Sequence, residues 1–490
     1  MLVEGSYPYV VGGVSSWIQM LMEGFPEYEF FIYALGAEAK DRGKYKYKFP
    51  ANMTGIQEVF LDEILSCKSP SLQENILSEA ERNCIYDLVM GEKPIDIGAM
   101  AEIFQHKGKI RSPLAIFMSS DFFDIISQVY RKKYSYLPFT DFFWTMRSML
   151  LPLFYFLHQP LPEADVYHSV ATGYCGIIGS LAANVQKKPF LITEHGIYSR
   201  ERETEIVKCG WAKGDFKSVW IQYFYNIAKL AYRSADMVVT LFEQNAVIEQ
   251  ELGCDPAKIR IVPNGVRMER FRQIGELQQH EGPLVIGGVV RVVPIKDIIT
   301  MLRAFLLVQQ AFPDAVLKVI GSYGEDKEYY EMCRQTVETL QLRNVEFTGS
   351  VNVAEYLPKL DIMVLSSISE GQPLTILESF AARVPVIATN VGNCRGLVLG
   401  EADSFGPAGI ITHIMNVQEI AEAMITMARN PAMRKRMGQA GYQRMMARYK
   451  VEDMKAIYQS IYAQCAARQG LTWDNQGQQA VSCAVLPQDK

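Results

Sequence analysis

The sequence predicts an α/β protein of two doubly wound domains, and three observations carry that expectation. From about Leu284 onward, short apolar runs alternate with segments of helical periodicity, the pattern of strands linked by crossover helices in a parallel sheet. The same alternation recurs, less cleanly, in the first half. At 490 residues the chain is also too long for one hydrophobic core. Two such domains facing each other across a cleft would present their ligand sites at the carboxyl ends of the strands.

In the second half, LVIGGVV predicts a strand, MLRAFLLVQQAF a helix and AVLKVIG the next strand. A helix over KEYYEMCRQTVETLQL, the strand NVEFTG, a short helix near AEYLPKL and the strand DIMVLSS follow. The helix PLTILESFAARV, the strand PVIAT and a helical stretch over 416–446 complete a domain expected at 283–446. In the first half, strands are expected at 1–4, 28–34, 164–168, 189–193, 236–240 and 259–262. Residues 40–160 are expected to be a largely helical or irregular insertion in that domain, which spans 1–275 and is completed by a helix over 451–467. The first strand, MLVE, is shorter than usual, so either the true start lies upstream or the sheet edge is frayed there. Residues 266–283 are polar and unperiodic and read as the linker; the tail 470–490 has too few apolar residues to pack and is expected to be disordered.

Composition narrows the function. Hydrophobic residues at 49% and charged residues at 21% suit a soluble globular protein. A net charge of −5 gives no electrostatic case for nucleic acid. Nine cysteines with no CxxC pair predict buried thiols in a reducing compartment, and no secretory signal is visible, so a cytoplasmic protein is expected. The apolar run Phe142–His158 is short for a bilayer and carries Arg147 and Pro152. A buried helix or helix pair is expected there, with docking on membrane partners as its alternative use.

Candidate chemistry concentrates in SSISEGQPLTILESF. Glu370 follows a predicted strand, Gly371 permits a turn, Pro373 suits the first helical position, and Glu378 falls in the first two turns of the helix. Acidic residues there could be ordinary helix-start charge placement, but the loop leaves the carboxyl end of a strand. Upstream, GGVVRVVPIKD supplies Arg291 and Lys296, which alone would read as a solvated pair. GSYGED, Gly321 to Asp326, is a glycine loop after the next strand. Near the N-terminus, Val14, Trp17, Ile18 and Leu21 form one apolar helical stripe starting near Gly13, with Trp17 in the core. Gly12 and Gly13, at the turn into that helix, either serve a tight turn or let an anion approach the helix start. His195 in TEHGIY and His168 in VYHSVATGYCG end predicted strands and are either cleft residues or satisfied structural histidines. Arg200 and Arg202 either reach phosphate or pair with Glu201 and Glu203; Asn264 and Gly265 in IVPNGV close the last strand of the first domain. No Asp-x-Asp and no Cys/His cluster occurs, so neither a carboxylate-held Mg²⁺ nor zinc is expected.

The spacing E-x7-E inside SxSEGxPLxxLE, with Arg-x4-Lys upstream, resembles the retaining family 4 glycosyltransferases of GT-B fold. The resemblance implies that Glu370 contacts a donor sugar, that Glu378 accepts hydrogen bonds from a nucleotide ribose, and that Arg291 and Lys296 clamp a departing diphosphate. Gly371, Gln372, Pro373 and Leu374 are assigned to the donor nucleotide with them. Taken together, EGSYPYVVGGVSSW, VYHSVATGYCG, TEHGIYSRERE and IVPNGV resemble the Pel exopolysaccharide glycosyltransferases over roughly residues 1–450. That likeness implies transfer from a UDP-sugar, UDP-glucose or a UDP-N-acetylhexosamine, to a growing biofilm exopolysaccharide beside inner-membrane synthesis and export proteins. It places Gly12 and Gly13 near the diphosphate or acceptor, His195 near the reacting carbon and Asn264 near the nucleotide base. Transfer would retain configuration without a metal, the β-phosphate oxygen taking the acceptor's proton. Two other readings share such a cleft: a UDP-sugar 2-epimerase-like enzyme, and a non-catalytic subunit that senses UDP-sugar in an export complex.

Overall fold

In the computed structural model the described residues are 1–67, 76–106, 109–110, 112–271, 282–400 and 403–467. The expected tail 470–490 and most of the expected linker lie outside them. The chain divides into two compact units: Met1–Ile261 with the chain from Tyr458, and Val262–Ile457.

The first unit holds seven strands: β1 Leu2–Glu4, β2 Phe30–Gly36, β3 Met53–Phe60, β4 Tyr167–Ser169, β5 Phe190–Glu194, β6 Met237–Thr240 and β7 Ile259–Ile261. They pair in the order β3-β2-β1-β4-β5-β6-β7, every pair parallel. FLITE and MVVT are buried at every position, as a sheet covered on both faces requires. One expectation is corrected here. The short first strand is not a frayed edge, because β1 lies between β2 and β4, with Leu2 opposite both Tyr33 and Ser169. The stretch 40–160, expected to be largely helical or irregular, also supplies β3, which extends the sheet at its edge. Thr54, Gln57 and Glu58 break its apolar pattern, since an edge strand has less of its surface covered.

Among the described residues, that insertion also carries the helices Glu79–Met90, Ile97–Phe104, Ser120–Val129 and Phe139–Leu157. The apolar run proves to be one helix, with Pro152 inside it, rather than a pair. Phe142, Met146, Met149, Leu150, Leu153 and Phe154 lie on one buried stripe, joining the core of the first unit. Among the described residues no helix is long and apolar enough to cross a membrane.

The second unit holds β8 Val285–Val289, β9 Val316–Ile320, β10 Val345–Gly349, β11 Ile362–Leu365, β12 Val386–Thr389 and β13 Gly409–Thr412. Their order is β10-β9-β8-β11-β12-β13, again all parallel. β13 was not expected: four residues between glycine- and proline-rich flanks give too little periodicity to read. The helical stretch 416–446 is two helices, Val417–Arg429 and Pro431–Arg448, broken where Asn430 accepts from Met433 N at 3.0 Å and caps the second. The last helix, Val451–Ala467, starts in the second unit and counts with the first from Tyr458. The units divide at Ile261 and Val262, where residue 275 was expected, so Asn264 and Gly265 fall in the second unit rather than closing the first. Val266 N donates to Tyr449 O at 2.8 Å and Val451 N to Val266 O at 3.2 Å, tying this segment down, and Gly265 packs on the Val451 backbone.

Candidate functional site

In the second sheet the strand order reverses between β8 and β11, and the loops leaving those two strands flank the crevice where doubly wound sheets hold ligands. The loop after β8 carries Arg291 and ends in the turn Pro294–Lys296; the loop after β11 runs from Ser366 to Pro373. Hydrogen bonds lace them together. Ser366 Oγ donates to the carbonyls of Lys296 and Asp297, both at 3.0 Å, and Ile368 N donates to Ile295 O at 2.8 Å.

This lacing brings Lys296 Nζ to 2.7 Å from Glu370 Oε1, and Ser367 Oγ donates to the same oxygen at 2.6 Å. The two side chains are only 16% and 10% exposed, so the pair attracts through a medium less polar than bulk water. A third loop, after β12, closes on it: Asn393 N donates to Gly371 O at 2.9 Å. Gly392, at φ +49°, is required there, because a Cβ would stand 2.2 Å from the Glu370 carbonyl oxygen.

The helix that follows is Leu374–Ala381, preceded by Pro373, which sits just outside it rather than at its first position. No side chain caps this helix, whereas those beginning at Ile298, Lys327, Val417 and Pro431 are capped by Asp297, Asp326, Asn416 and Asn430. Its first N–H groups therefore lack a side-chain acceptor, and the helix dipole adds partial positive charge there. Glu378, on the same helix, meets Arg270 Nη1 at 3.3 Å. Burial pushes the Glu378 carboxyl up, and Arg270 opposes that shift. Gln372 Oε1 accepts from Asn264 N at 2.6 Å, while Gln372 Nε2 and Asn264 Oδ1 are buried with no hydrogen-bond partner.

Arg291 does not join Lys296 and Glu370. Its Nη1 lies 2.6 and 2.8 Å from the two oxygens of Glu325, in the glycine loop Gly321–Asp326 after β9. Gly321 is at φ +149°, and a Cβ there would meet Val290 O at 2.1 Å, so that loop depends on glycine to pass close to the first. Sequence reasoning did not single out Arg270, Glu325 or Ser367. Arg270 lies in the stretch read as linker, and Glu325 carried no signal beyond its glycines.

The residues expected in the first unit sort differently. Gly12, extended at φ −173°, precedes the helix Gly13–Gly24, which has no capping side chain and no acidic residue in its first turn. A Cβ on either Gly12 or Gly13 would meet nothing within 4 Å, so the turn itself does not require glycine for space. Trp17 is buried and packs edge-on against His195, ring centroids 4.6 Å apart. Burial pushes His195 down to about 4, so the ring is neutral at pH 7, and its Nε2 has no hydrogen-bond partner. His168 is spoken for on both sides: Nδ1 pairs with Tyr462 Oη and Nε2 with Thr193 Oγ1, each at 2.8 Å. That is a satisfied structural histidine. Arg200 and Arg202 do not pair with Glu201 and Glu203; they face Glu251 at 3.6 Å and Glu205 at 2.8 Å.

The sequence missed one group in this unit. Glu194, fully buried at the end of β5, accepts from Thr172 Oγ1 at 2.8 Å, from Tyr198 N at 3.1 Å and from Tyr232 Oη. Glu249, also fully buried, has no hydrogen-bond partner on either oxygen. Burial raises both carboxyls, and the nearby Glu194 charge raises Glu249 further. Among the described residues no group of three or more His, Cys, Asp and Glu side chains is placed to hold a metal ion.

Comparison with known proteins fits this geometry. Residues 1–257 match a domain of unknown function, DUF3492, and residues 269–444 match the glycosyl transferases group 1 model. The chain is 27% identical over 252 residues to the Escherichia coli UDP-Gal:alpha-D-GlcNAc-diphosphoundecaprenol alpha-1,3-galactosyltransferase, an overlap covering 49% of this chain and 62% of that one. It is 24% identical over 265 residues to the glycogen synthase of Mycobacterium tuberculosis, covering 53% and 60%. The overlaps thus span less than two thirds of either relative. Among solved structures, HepE from Anabaena in complex with UDP superposes with a TM-score of 0.61 at 13% identity, covering 94% of this chain and 99% of that one. Sucrose-phosphate synthase from Thermosynechococcus elongatus gives 0.60 at 15%, covering 95% and 99%. Both parallel sheets are therefore Rossmann-like units of the GT-B fold, and the chain belongs to the DUF3492 family, its residues 269–444 matching the group 1 glycosyltransferases.

Proposed function

We propose that this protein is a retaining, metal-independent family 4 glycosyltransferase that moves a sugar from a UDP-sugar to a growing Pel-type exopolysaccharide. The observation that carries this reading is the Lys296–Glu370 pair, held by three loops at the switch point of the second sheet. A partly buried cation beside a carboxylate and an uncapped helix start is suited to a substrate that is both a phosphate ester and a sugar. Lys296 and Arg291, carried by the same loop, neutralise the charge that grows on the leaving diphosphate. The start of helix Leu374–Ala381, with Gly371, Gln372, Pro373 and Leu374, faces the nucleotide's anionic part. Glu370 orients a sugar hydroxyl, and Glu378 accepts from the ribose diol.

With Lys296 and Arg291 supplying positive charge, no metal is assigned a role. The β-phosphate oxygen takes the acceptor's proton, the acceptor attacks the face the diphosphate leaves, and configuration is retained. His195, neutral and unable to serve as a cationic acid at pH 7, acts as a hydrogen-bond partner near the reacting carbon. Gly12 and Gly13, with an uncapped helix start and open space around them, receive diphosphate or acceptor. UDP appears with HepE and UDP-Gal in the name of the galactosyltransferase; both support a UDP-sugar donor, UDP-glucose or a UDP-N-acetylhexosamine. The protein works in the cytoplasm beside the inner-membrane proteins that polymerise and export the chain.

The test is UDP release from UDP-glucose, UDP-GlcNAc and UDP-GalNAc, with and without acceptor glycan and with and without EDTA. Acceptor-dependent release that survives EDTA is expected. Altered sugar without acceptor would mean epimerisation, UDP-sugar binding with no turnover would mean a sensor, and loss of activity in EDTA would refute metal independence.

A further inference from the structure

The loop Gly321–Asp326 is anchored on three sides. Ser322 O accepts from Val292 N at 2.8 Å, beside Arg291; Tyr323 stacks on Tyr330 with centroids 4.6 Å apart; and Asp326 accepts from Tyr329 N at 2.8 Å, capping the helix Lys327–Thr339. Glu325 is thereby held where both its oxygens face Arg291 Nη1, at 2.6 and 2.8 Å. Both carboxylate oxygens crowd that one nitrogen, so a phosphate oxygen that takes Nη1 must displace the carboxylate, the two being anionic acceptors for the same N–H groups. We propose that Glu325 is an internal competitor for Arg291, and that the diphosphate of the donor binds by taking Arg291 from it.

The inference rests on the proposed donor site and adds a regulatory contact to it. Lys296 is bound to Glu370 in the interior of the site, but Arg291 and Glu325 are 43% and 46% exposed. Exposed pairs are weak and exchange with solvent, so Glu325 tunes donor affinity without blocking entry. It also holds Arg291 in one place while the site is empty. Donor release would return the guanidinium to Glu325, which favours turnover over retention of UDP.

The experiment measures binding of UDP and of inorganic pyrophosphate to the full chain by calorimetry, for wild type, Glu325→Gln, Arg291→Ala, the double variant and Lys296→Ala. Glu325→Gln is expected to tighten both ligands about two- to five-fold, the scale of an exposed ion pair, and to lower the KM for UDP-sugar by a similar factor. In the Arg291→Ala background the same substitution is expected to change nothing. Unchanged or weaker binding by Glu325→Gln overturns the proposal, as does an equal gain without Arg291, which would mean general charge repulsion rather than competition. If Lys296→Ala weakens UDP while Glu325→Gln does nothing, the donor site stands and only the competitor falls. If wild type binds neither ligand, both fall.

Discussion

At the end of β5, Glu194 is sealed from water and answered by Thr172, Tyr198 and Tyr232, none of them charged. At the ends of β8 and β11, Arg291, Lys296, Glu370 and Glu378 each face an opposite charge, with Arg291 and its partner open to solvent and the others largely covered. Both arrangements place carboxylates at the carboxyl ends of a parallel sheet, yet they obey different energetics. A desolvated carboxyl held by hydroxyls keeps its proton and behaves as a polar core group. An ion pair open to solvent, as Arg291–Glu325 is, can trade one partner for a ligand of like charge at small net cost. On the proposed reading, a site for an anionic sugar nucleotide would offer an exchangeable pair such as Arg291–Glu325, whereas an upward-shifted carboxyl alone does not mark one.

The largest test of that contrast is Lys296→Ala. Loss of the cation should cut UDP-dependent transfer about 100-fold, the scale of one lost electrostatic donor, while circular dichroism stays native. Retained activity would place the diphosphate elsewhere. Glu378→Gln keeps the shape and removes the charge, and should raise the KM for UDP-sugar about ten-fold with a smaller change in kcat.

The first unit should instead respond to pH through stability. Glu194 and Glu249 hold their protons in the folded state above the ordinary carboxylate range. Their stabilisation is complete where the unfolded carboxyls are also protonated, and is lost as pH rises through the elevated folded values. Thermal melting should therefore fall by about 3–6 °C between pH 5.5 and 8.5, and Glu249→Gln should flatten that slope. A flat profile in wild type would show that the pair is ionised and hydrated. The smallest expected effect concerns His195: with its proton lost above about 4, the pH–rate profile should show no inflection near the usual histidine value, and one that vanished in His195→Asn would contradict the burial argument.

How far these features could be read in advance depended on how much each segment was committed locally. Nearly continuous apolar strands such as IMVL and VIAT announced themselves, because a strand covered on both faces has few polar positions. β3 and β13 lie at sheet edges, where half-exposed residues dilute that signal. The E-x7-E spacing was legible because both glutamates lie on one loop and helix. Arg270 was not, because its partner is 108 residues away.

The sequence alone determined the class of fold and picked out the E-x7-E segment proposed as the donor motif, since periodicity and short-range spacing are local properties of a chain. Only the tertiary structure decided which charges meet. It gave Arg291 to Glu325 and Lys296 to Glu370, closed both nitrogens of His168, and buried Glu194 and Glu249 together. Pairing and desolvation arise from residues far apart in sequence, and no local pattern encodes them.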